Sequence, residues 1–107
     1  MKKSLTGYAQ KELQAVFRNS RRLNRMLKKD HARALLEMMA EHIGEITERH
    51  GNGDKHYLIE TGDLIVLSLE LIRYAKQSPD AVLSKCYPRF HNKISQLIKD
   101  LQSQRPV

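Results

Sequence analysis

The sequence contains few features of a secreted or membrane protein. A single cysteine, Cys86, excludes a disulfide within the 107 residues and is typical of a reducing compartment. No apolar run is long enough to span a bilayer, because Glu60, Asp63 and Glu70 interrupt the longest apolar stretch. The opening residues, MKKSLTGYAQKEL, lack the apolar core of a signal peptide. We therefore expect a cytoplasmic protein with no membrane partner.

Strand-like alternation, internal repeats and low-complexity segments are also missing, and helical periodicity is the pattern that remains. Apolar residues recur at three- and four-residue steps in segments 5–27, 30–50 and 55–77. Ser78 and Pro79 predict the start of a short helix that ends near Cys86. Pro88 is expected to open a last helix that ends at Gln102, because a proline interrupts a helix from inside. With 40% hydrophobic residues, residues 1–107 are expected to form one all-α domain, a bundle of four or five helices.

The string Gly51-Asn52-Gly53-Asp54 predicts a helix end followed by a turn. Gly51 is expected in the left-handed position that closes the second helix, and Asp54 is expected to cap the next one. A turn this short makes the two helices antiparallel neighbours.

The helix that follows this turn, YLIETGDLIVLSLELIRY at 57–74, is apolar nearly all round the helical wheel. That pattern indicates a buried central helix. Glu60 and Asp63 are three residues apart and share one face, with Glu70 on nearly the same side. A buried carboxylate must be protonated, paired with a cation or bound to a metal. The simplest alternative is a salt bridge to lysine or arginine of a neighbouring helix.

Two pairs of acids are expected to face each other across the turn: Glu41 and Glu45 before it, and Glu60 and Asp63 after it. Glu45 and Glu60 are at similar distances from the turn and therefore at similar heights. Carboxylates packed together repel unless a cation lies between them. Oxygen ligands of this kind suit a Mg²⁺ ion that also holds substrate phosphates.

Three segments resemble motifs of the MazG-like all-α nucleoside triphosphate pyrophosphohydrolases. EHIGEI at 41–46 resembles their EEVGEL-type first motif, and ETGDL at 60–64 resembles their EELGDL second motif. PDAVLSKCYPRFHNKI at 79–94 is similar to their closing ALxxxxxKFxxRF segment. The resemblance covers residues 35–98 and extends weakly to the phosphoribosyl-ATP pyrophosphohydrolases. Residues 1–29, read from their charge and periodicity as a basic first helix, would then precede a MazG-like core at 30–107.

The resemblance implies an enzyme that cuts a nucleoside or deoxynucleoside triphosphate into the monophosphate and pyrophosphate. The implied cofactor is Mg²⁺ or Mn²⁺, and a water molecule is the nucleophile. The implied catalytic metal ligands are Glu45, Glu60 and Asp63. The residues implied to hold substrate phosphate are Arg89 and Lys93, with Lys85 assisting. The family forms homodimers or homotetramers whose sites lie near subunit contacts.

Two departures from the family pattern mean that the metal changes, that its affinity falls, or that catalysis is lost. His42 occupies the position of the first glutamate ligand, and imidazole suits Mn²⁺, Zn²⁺ or Ni²⁺ better than Mg²⁺. Glu41 would have to reach inward from the polar side of its helix to replace that ligand. The predicted metal set is therefore Glu41, His42, Glu45, Glu60 and Asp63. Pro88 is the second departure, since it lies beside the phosphate-binding residues.

Each of these side chains also has a purely structural interpretation. His42 can be a packed, hydrogen-bonded core histidine. The acids of the second helix can form a solvated face, namely Glu37, Glu41 and Glu48. His50 and His56 flank the turn and are expected to be exposed, whereas His31 and His91 follow no pattern.

The positive charge is concentrated at the start of the chain. Residues 1–29 contain nine basic residues against one acid, Glu12, so this segment accounts for more than the net charge of +7. Such asymmetry favours a polyanionic partner. The alternative function is thus a non-catalytic protein that binds nucleic acid or an acidic protein. Its binding residues would be Arg18, Arg21, Arg22, Arg25, Lys28 and Lys29. No aromatic residues interleave these charges, which argues against base stacking with single strands.

Overall fold

The computed structural model describes residues 10–104 as four helices, and these residues contain no strand. The helices are α1 (Gln10–Met26), α2 (His31–Gly51), α3 (Tyr57–Tyr74) and α4 (Pro79–Ser103). The prediction of an all-helical chain is confirmed for this range. Positions 5–9 of the predicted first helix lie outside the described residues.

Two predicted helix starts are confirmed by their caps. The Asp30 carboxylate accepts a hydrogen bond from the Arg33 amide at 3.0 Å and begins α2. The Ser78 hydroxyl accepts one from the Ala81 amide at 3.3 Å, with Pro79 in the first turn of α4. Each cap satisfies an amide that has no partner within its own helix.

The turn between α2 and α3 differs from its prediction by two residues. The helix continues through Gly51, because the Asn52 amide still reaches the carbonyls of Glu48 and Arg49 at 3.1 and 3.2 Å. Gly53, with φ of 73°, takes the left-handed conformation that was expected at Gly51. A glycine adopts this conformation without a steric penalty.

The side chain of Asp54 stabilises this turn by accepting two hydrogen bonds. Its carboxylate accepts hydrogen bonds from the His56 amide at 2.9 Å and from Arg49 Nη1 at 3.0 Å. The His56 amide and the Arg49 guanidinium lower the pKa of Asp54, although burial opposes them. The turn is therefore tied to both α2 and the entry into α3.

The prediction that Pro88 divides the last segment into two helices is wrong. Helix α4 is continuous from Pro79 to Ser103, with Pro88 inside it. A proline in a helix interior costs about 3 kcal/mol, partly because the carbonyl four residues earlier loses its donor. Here that carbonyl belongs to Ser84, and both residues are exposed, so water can replace the missing donor.

Helices α2 and α3 form the main packed unit, and α1 and α4 each contact it more lightly. The buried apolar residues among those described are few: Phe17 of α1, with Ala34 and Leu35 of α2. The core of one chain therefore lies where α1 meets the start of α2.

The prediction that α3 is buried on all sides is wrong for a single chain. Leu58, Ile59 and Ile65 are 58%, 59% and 56% exposed, because α2 alone packs along much of α3. The chain of 12.4 kDa exposes 9086 Å², whereas a compact monomer of this mass exposes about 6,100 Å². Its radius of gyration is 17.7 Å, against about 13 Å for a compact chain of this length. Within residues 10–104, one copy therefore leaves an apolar face of α3 uncovered.

Much of the uncovered apolar surface lies on the second half of α4. Five large apolar side chains there are between 49% and 64% exposed. We call them the α4 stripe: Phe90, Ile94, Leu97, Ile98 and Leu101. The predicted apolar side of the last helix is present, but no other described element covers it.

Across residues 10–104, no helix combines the length and the apolar character needed to cross a membrane.

Candidate metal centre

The antiparallel packing of α2 on α3 brings three of the predicted site residues together. Nε2 of His42 lies 3.4 Å from Oε2 of Glu60 and 3.5 Å from Oδ2 of Asp63. One ligand atom from each residue lies within 4.8 Å of the other two. His42, Glu60 and Asp63 thus form one cluster, which we call the His–acid cluster.

The orientation of His42 is fixed from within its own helix. Its Nδ1 lies 2.8 Å from the carbonyl oxygen of Met38, and only a protonated Nδ1 can donate to that oxygen. In the neutral ring the lone pair of Nε2 therefore faces the oxygens of Glu60 and Asp63. Lone pairs at this separation repel, so a proton or a metal cation must lie between them.

The same geometry favours the protonated form of His42 when no metal is bound. The hydrogen bond to the Met38 carbonyl raises the pKa of His42 above 6.5, and burial opposes this effect. The charges of Glu60, Asp63 and Glu45 raise it further. A metal ion at Nε2 would compete with this proton, so metal binding should strengthen as pH rises.

Glu45 interacts with Glu60 of the cluster. The two residues were predicted to lie at similar distances from the turn. A hydrogen bond with Glu60 and the charge of that carboxylate raise the pKa of the exposed Glu45. Both effects favour the protonated form of Glu45.

His56 is a member of the site that the sequence did not reveal. Its Nε2 lies 3.4 Å from Oε1 of Glu60, and its side chain is 48% exposed. Exposure was expected for His56, but contact with Glu60 was not. Its position four residues before Glu60, in the last turn before α3, is the signal that was available.

The donor atoms fit a divalent cation. Metal–ligand bonds of about 2.0–2.2 Å place neighbouring ligand atoms about 3.0–3.5 Å apart, and the observed separations from Nε2 are 3.4 and 3.5 Å. A histidine anchored through Nδ1 to a backbone carbonyl is the usual second-shell arrangement for metal ligands. The Glu60 side chain is only 11% exposed, whereas that of Asp63 is 55% exposed. The cluster is therefore largely buried at Glu60 and open to solvent at Asp63.

The alternative of a salt bridge to lysine or arginine does not match the contacts. Within residues 10–104, the ion pairs of Glu60 and Asp63 are with histidines alone. Histidine can release its proton near neutral pH and bind a metal instead, which lysine and arginine cannot do in such a setting.

Four predicted site residues are not part of the cluster. Glu41 is exposed and has no hydrogen bond or ion pair to the cluster among the described residues. The same holds for the predicted phosphate ligands on α4, Lys85, Arg89 and Lys93. One chain therefore brings together three of the predicted cation ligands, His42, Glu60 and Asp63, without Glu41 and without the predicted phosphate ligands.

Glu70 was expected on the side of Glu60, but it belongs to a second buried cluster. Glu70 and His31 are 3% and 8% exposed, and Oε2 of Glu70 lies 2.8 Å from Nε2 of His31. The contact lacks the directionality of a regular hydrogen bond. Asn24 of α1, also buried, holds His31 with its amide nitrogen 2.8 Å from Nδ1.

The sequence offers a partial signal for this second cluster. The register that sets Glu45 opposite Glu60 sets His31 opposite Tyr74, and the ring of Tyr74 lies 4.9 Å from that of His31. Glu70 lies one helical turn before Tyr74 on the same face, so its contact with His31 can be anticipated to within one turn.

The predicted nucleic-acid residues lie on α1 and in the loop after it. Arg18, Asn19, Arg21, Arg22 and Arg25 line an open groove of about 450 Å³. All six predicted basic residues are exposed, and none forms an ion pair within the described part of the chain. The groove is therefore a region of uncompensated positive charge.

No family model, no curated protein and no solved structure matches this chain.

We predict that His42 in the metal-free protein titrates above pH 6.5, measured from its ring signals by NMR. Because the folded protein favours the imidazolium, its stabilising effect is complete below about pH 6.5 and is lost as pH rises through the folded pKa. Glu60→Gln should lower the pKa of His42, because it removes a nearby negative charge. Glu48→Gln, at an exposed acid of the same helix, is the matched control and should leave it unchanged. A wild-type value at or below 6.5 would contradict the geometry of the cluster.

Proposed function

We propose that this protein is a metal-dependent nucleoside triphosphate pyrophosphohydrolase that releases a nucleoside monophosphate and pyrophosphate. The observation that carries the proposal is the convergence of Nε2 of His42 with the carboxylates of Glu60 and Asp63. The motif resemblance at 41–46 and 60–64 supplies the reaction. The cluster residues His42, Glu60 and Asp63 lie within the two segments that carry the resemblance.

The chain's own residues have separate tasks in this proposal. His42, Glu60 and Asp63 hold the cation, and Glu45 stabilises Glu60 and completes the ligand set. A cation held by these residues would supply positive charge that offsets the negative charge developing during attack at phosphorus. The exposed Asp63 marks the side from which substrate enters. His56 contacts Glu60 from the opposite side and fixes its orientation.

The imidazole in the ligand set determines which metal the proposed enzyme prefers. Mg²⁺ favours oxygen ligands, whereas Mn²⁺ also accepts a histidine nitrogen. Activity should therefore be higher with Mn²⁺ than with Mg²⁺. The reason is that His42 replaces a glutamate ligand.

A second copy of the chain is required to complete this site. Lys85, Arg89 and Lys93 do not reach the His–acid cluster of their own chain, and we propose that they reach it in a homo-oligomer. Leu58, Ile59 and Ile65 of α3 also stay exposed in one copy, and obligate dimer interfaces are rich in apolar side chains of this kind. The α4 stripe, adjacent to these basic residues, is the apolar surface that a second copy would cover.

Binding of nucleic acid is a second candidate function, and the groove on α1 favours it. Six exposed cations without acidic partners attract a phosphate backbone and release its counterions on binding. This function needs no metal ion, so it can be separated experimentally from hydrolysis.

We expect purified protein with Mn²⁺ to convert at least one nucleoside or deoxynucleoside triphosphate to monophosphate and pyrophosphate, measured by chromatography. Glu60→Gln and Asp63→Asn should each lower the rate at least about a hundredfold, because each removes a cation ligand. The control Glu48→Gln should retain wild-type activity. Absence of pyrophosphate with every triphosphate, in both Mn²⁺ and Mg²⁺, would refute the proposal.

His42→Glu tests the metal preference in the same assay. A third carboxylate restores an all-oxygen ligand set, so the ratio of the Mg²⁺ rate to the Mn²⁺ rate should rise about tenfold or more. An unchanged ratio would mean that His42 does not contact the metal.

The proposed homo-oligomer should be at least a dimer by light scattering. Ile94→Asp should convert it to monomers, because it places a charge on the α4 stripe. Asn92→Asp, on the same helix outside the stripe, is the control and should preserve the assembly. A monomeric wild-type protein would exclude this part of the proposal.

Mixing inactive chains shows whether one copy supplies the phosphate ligands of the other. Asp63→Asn and Arg89→Gln should each be inactive alone. An equal, freely exchanging mixture should recover about a quarter of wild-type activity, because half of the dimers then contain one intact site of two. No recovery would place both residue sets in the same chain.

For the second candidate function, duplex DNA or RNA should bind at low salt, with affinity that falls steeply as salt rises. Fluorescence anisotropy with the double variant Arg22→Glu/Arg25→Glu should show binding weakened at least about tenfold. Lys55→Glu/Lys99→Glu has the same change in net charge away from α1 and should bind nearly as well as wild type. Equal loss in both variants would show that net charge alone drives association.

A further inference from the structure

A cleft separate from the His–acid cluster lies between α1, α2 and α3, with a volume of about 180 Å³. His31 and Glu70 form its base, and Arg18, Arg21 and Arg73 line it together with Tyr74. His31 precedes His42 by eleven residues in α2, which separates the two sites by about 16 Å along the helix. The hydrolytic proposal does not use any of these six residues.

The base of this cleft is a fixed buried polar cluster. Glu70 and His31 contact each other at 2.8 Å and are almost fully buried, and Asn24 holds the other ring nitrogen of His31. This contact joins α2 to α3, and Asn24 extends it to α1. The three helices that supply the lining residues are therefore held at a fixed separation.

The three arginines converge on the cleft without a counter-charge of their own. Arg18 and Arg21 come from α1 and Arg73 from α3, and none forms an ion pair among the described residues. Glu70 contributes the one carboxyl group of the lining, against three guanidinium groups. Convergence of like charges is unfavourable unless an anion lies among them.

One of these arginines is held in position before any ligand arrives. The guanidinium carbon of Arg21 lies 5.4 Å from the ring centre of Tyr74, within the range of a cation–π interaction. The Tyr74 ring in turn lies 4.9 Å from that of His31. Less side-chain entropy is then lost when Arg21 binds a ligand.

We propose that this cleft binds a phosphate monoester group. Guanidinium groups pair with two phosphate oxygens at once, and a phosphate monoester supplies the negative charge that the three arginines of the cleft lack. The volume is below the 300–1,000 Å³ or so of sites for drug-sized ligands, so it suits the phosphate group and little more. Arg18 and Arg21 also line the open groove along α1. The phosphate can therefore come from a free small molecule or from the end of a nucleic acid.

Calorimetry in EDTA tests the proposal without interference from the metal centre. Inorganic phosphate should bind saturably to wild-type protein and to Asp63→Asn with equal affinity. Arg73→Gln should weaken this binding at least about tenfold, because it removes a guanidinium that lines the cleft. Arg22→Gln is the matched control, since Arg22 lines the α1 groove but not the cleft, and it should change affinity less than about twofold.

A short oligonucleotide with a 5′-phosphate, compared with the same oligonucleotide bearing a 5′-hydroxyl, identifies the source. Tighter binding of the phosphorylated form, lost in Arg73→Gln, assigns the cleft to a nucleic-acid end. Equal binding of the two, with saturable binding of inorganic phosphate, assigns it to a small phosphorylated molecule. Failure of inorganic phosphate to saturate the wild-type protein, or an equal effect of Arg73→Gln and Arg22→Gln, would overturn the proposal.

Discussion

The antiparallel register of α2 against α3 is the constraint on which the rest of the structure depends. The turn at 51–54 sets this register, and Asp54 ties it to both helices through Arg49 and the His56 amide. With the register fixed, His42 meets Glu60 and Asp63 near the turn, and His31 meets Glu70 at the far end. Both polar clusters are thus consequences of one pairing of helices.

Both buried carboxylates of α3 contact histidines of α2, and this choice of partner determines the chemistry. A carboxylate removed from water needs a compensating charge or hydrogen bonds. Lysine or arginine would give a permanent ion pair, whereas histidine gives one that a proton or a metal ion can alter near neutral pH. Solvent reaches the contact between Glu60 and His42 beside the exposed Asp63. The contact between Glu70 and His31 is buried, and α1 packs against it. The same type of contact therefore forms a candidate metal centre at one end and a structural base at the other.

The sequence predicted the helices, the caps at Asp30 and Ser78, and the positions of His42, Glu45, Glu60 and Asp63, because these depend on local periodicity and on one short turn. It did not predict the continuity of α4 through Pro88, since the cost of an interior proline depends on whether water reaches Ser84. It also failed to predict the exposure of Leu58, Ile59 and Ile65. Apolar periodicity shows which side chains need a partner, but not whether that partner belongs to the same chain.

The central claim is that His42, Glu60 and Asp63 form a site for a divalent cation. Crystals grown with Mn²⁺ at a pH above the pKa of His42 test it directly through anomalous scattering. The account predicts one Mn²⁺ peak at about 2.0–2.3 Å from Nε2 of His42 and from an oxygen of each acid. Direct hydrogen bonds from a protonated His42 to both carboxylates, with no ion among them, would contradict it.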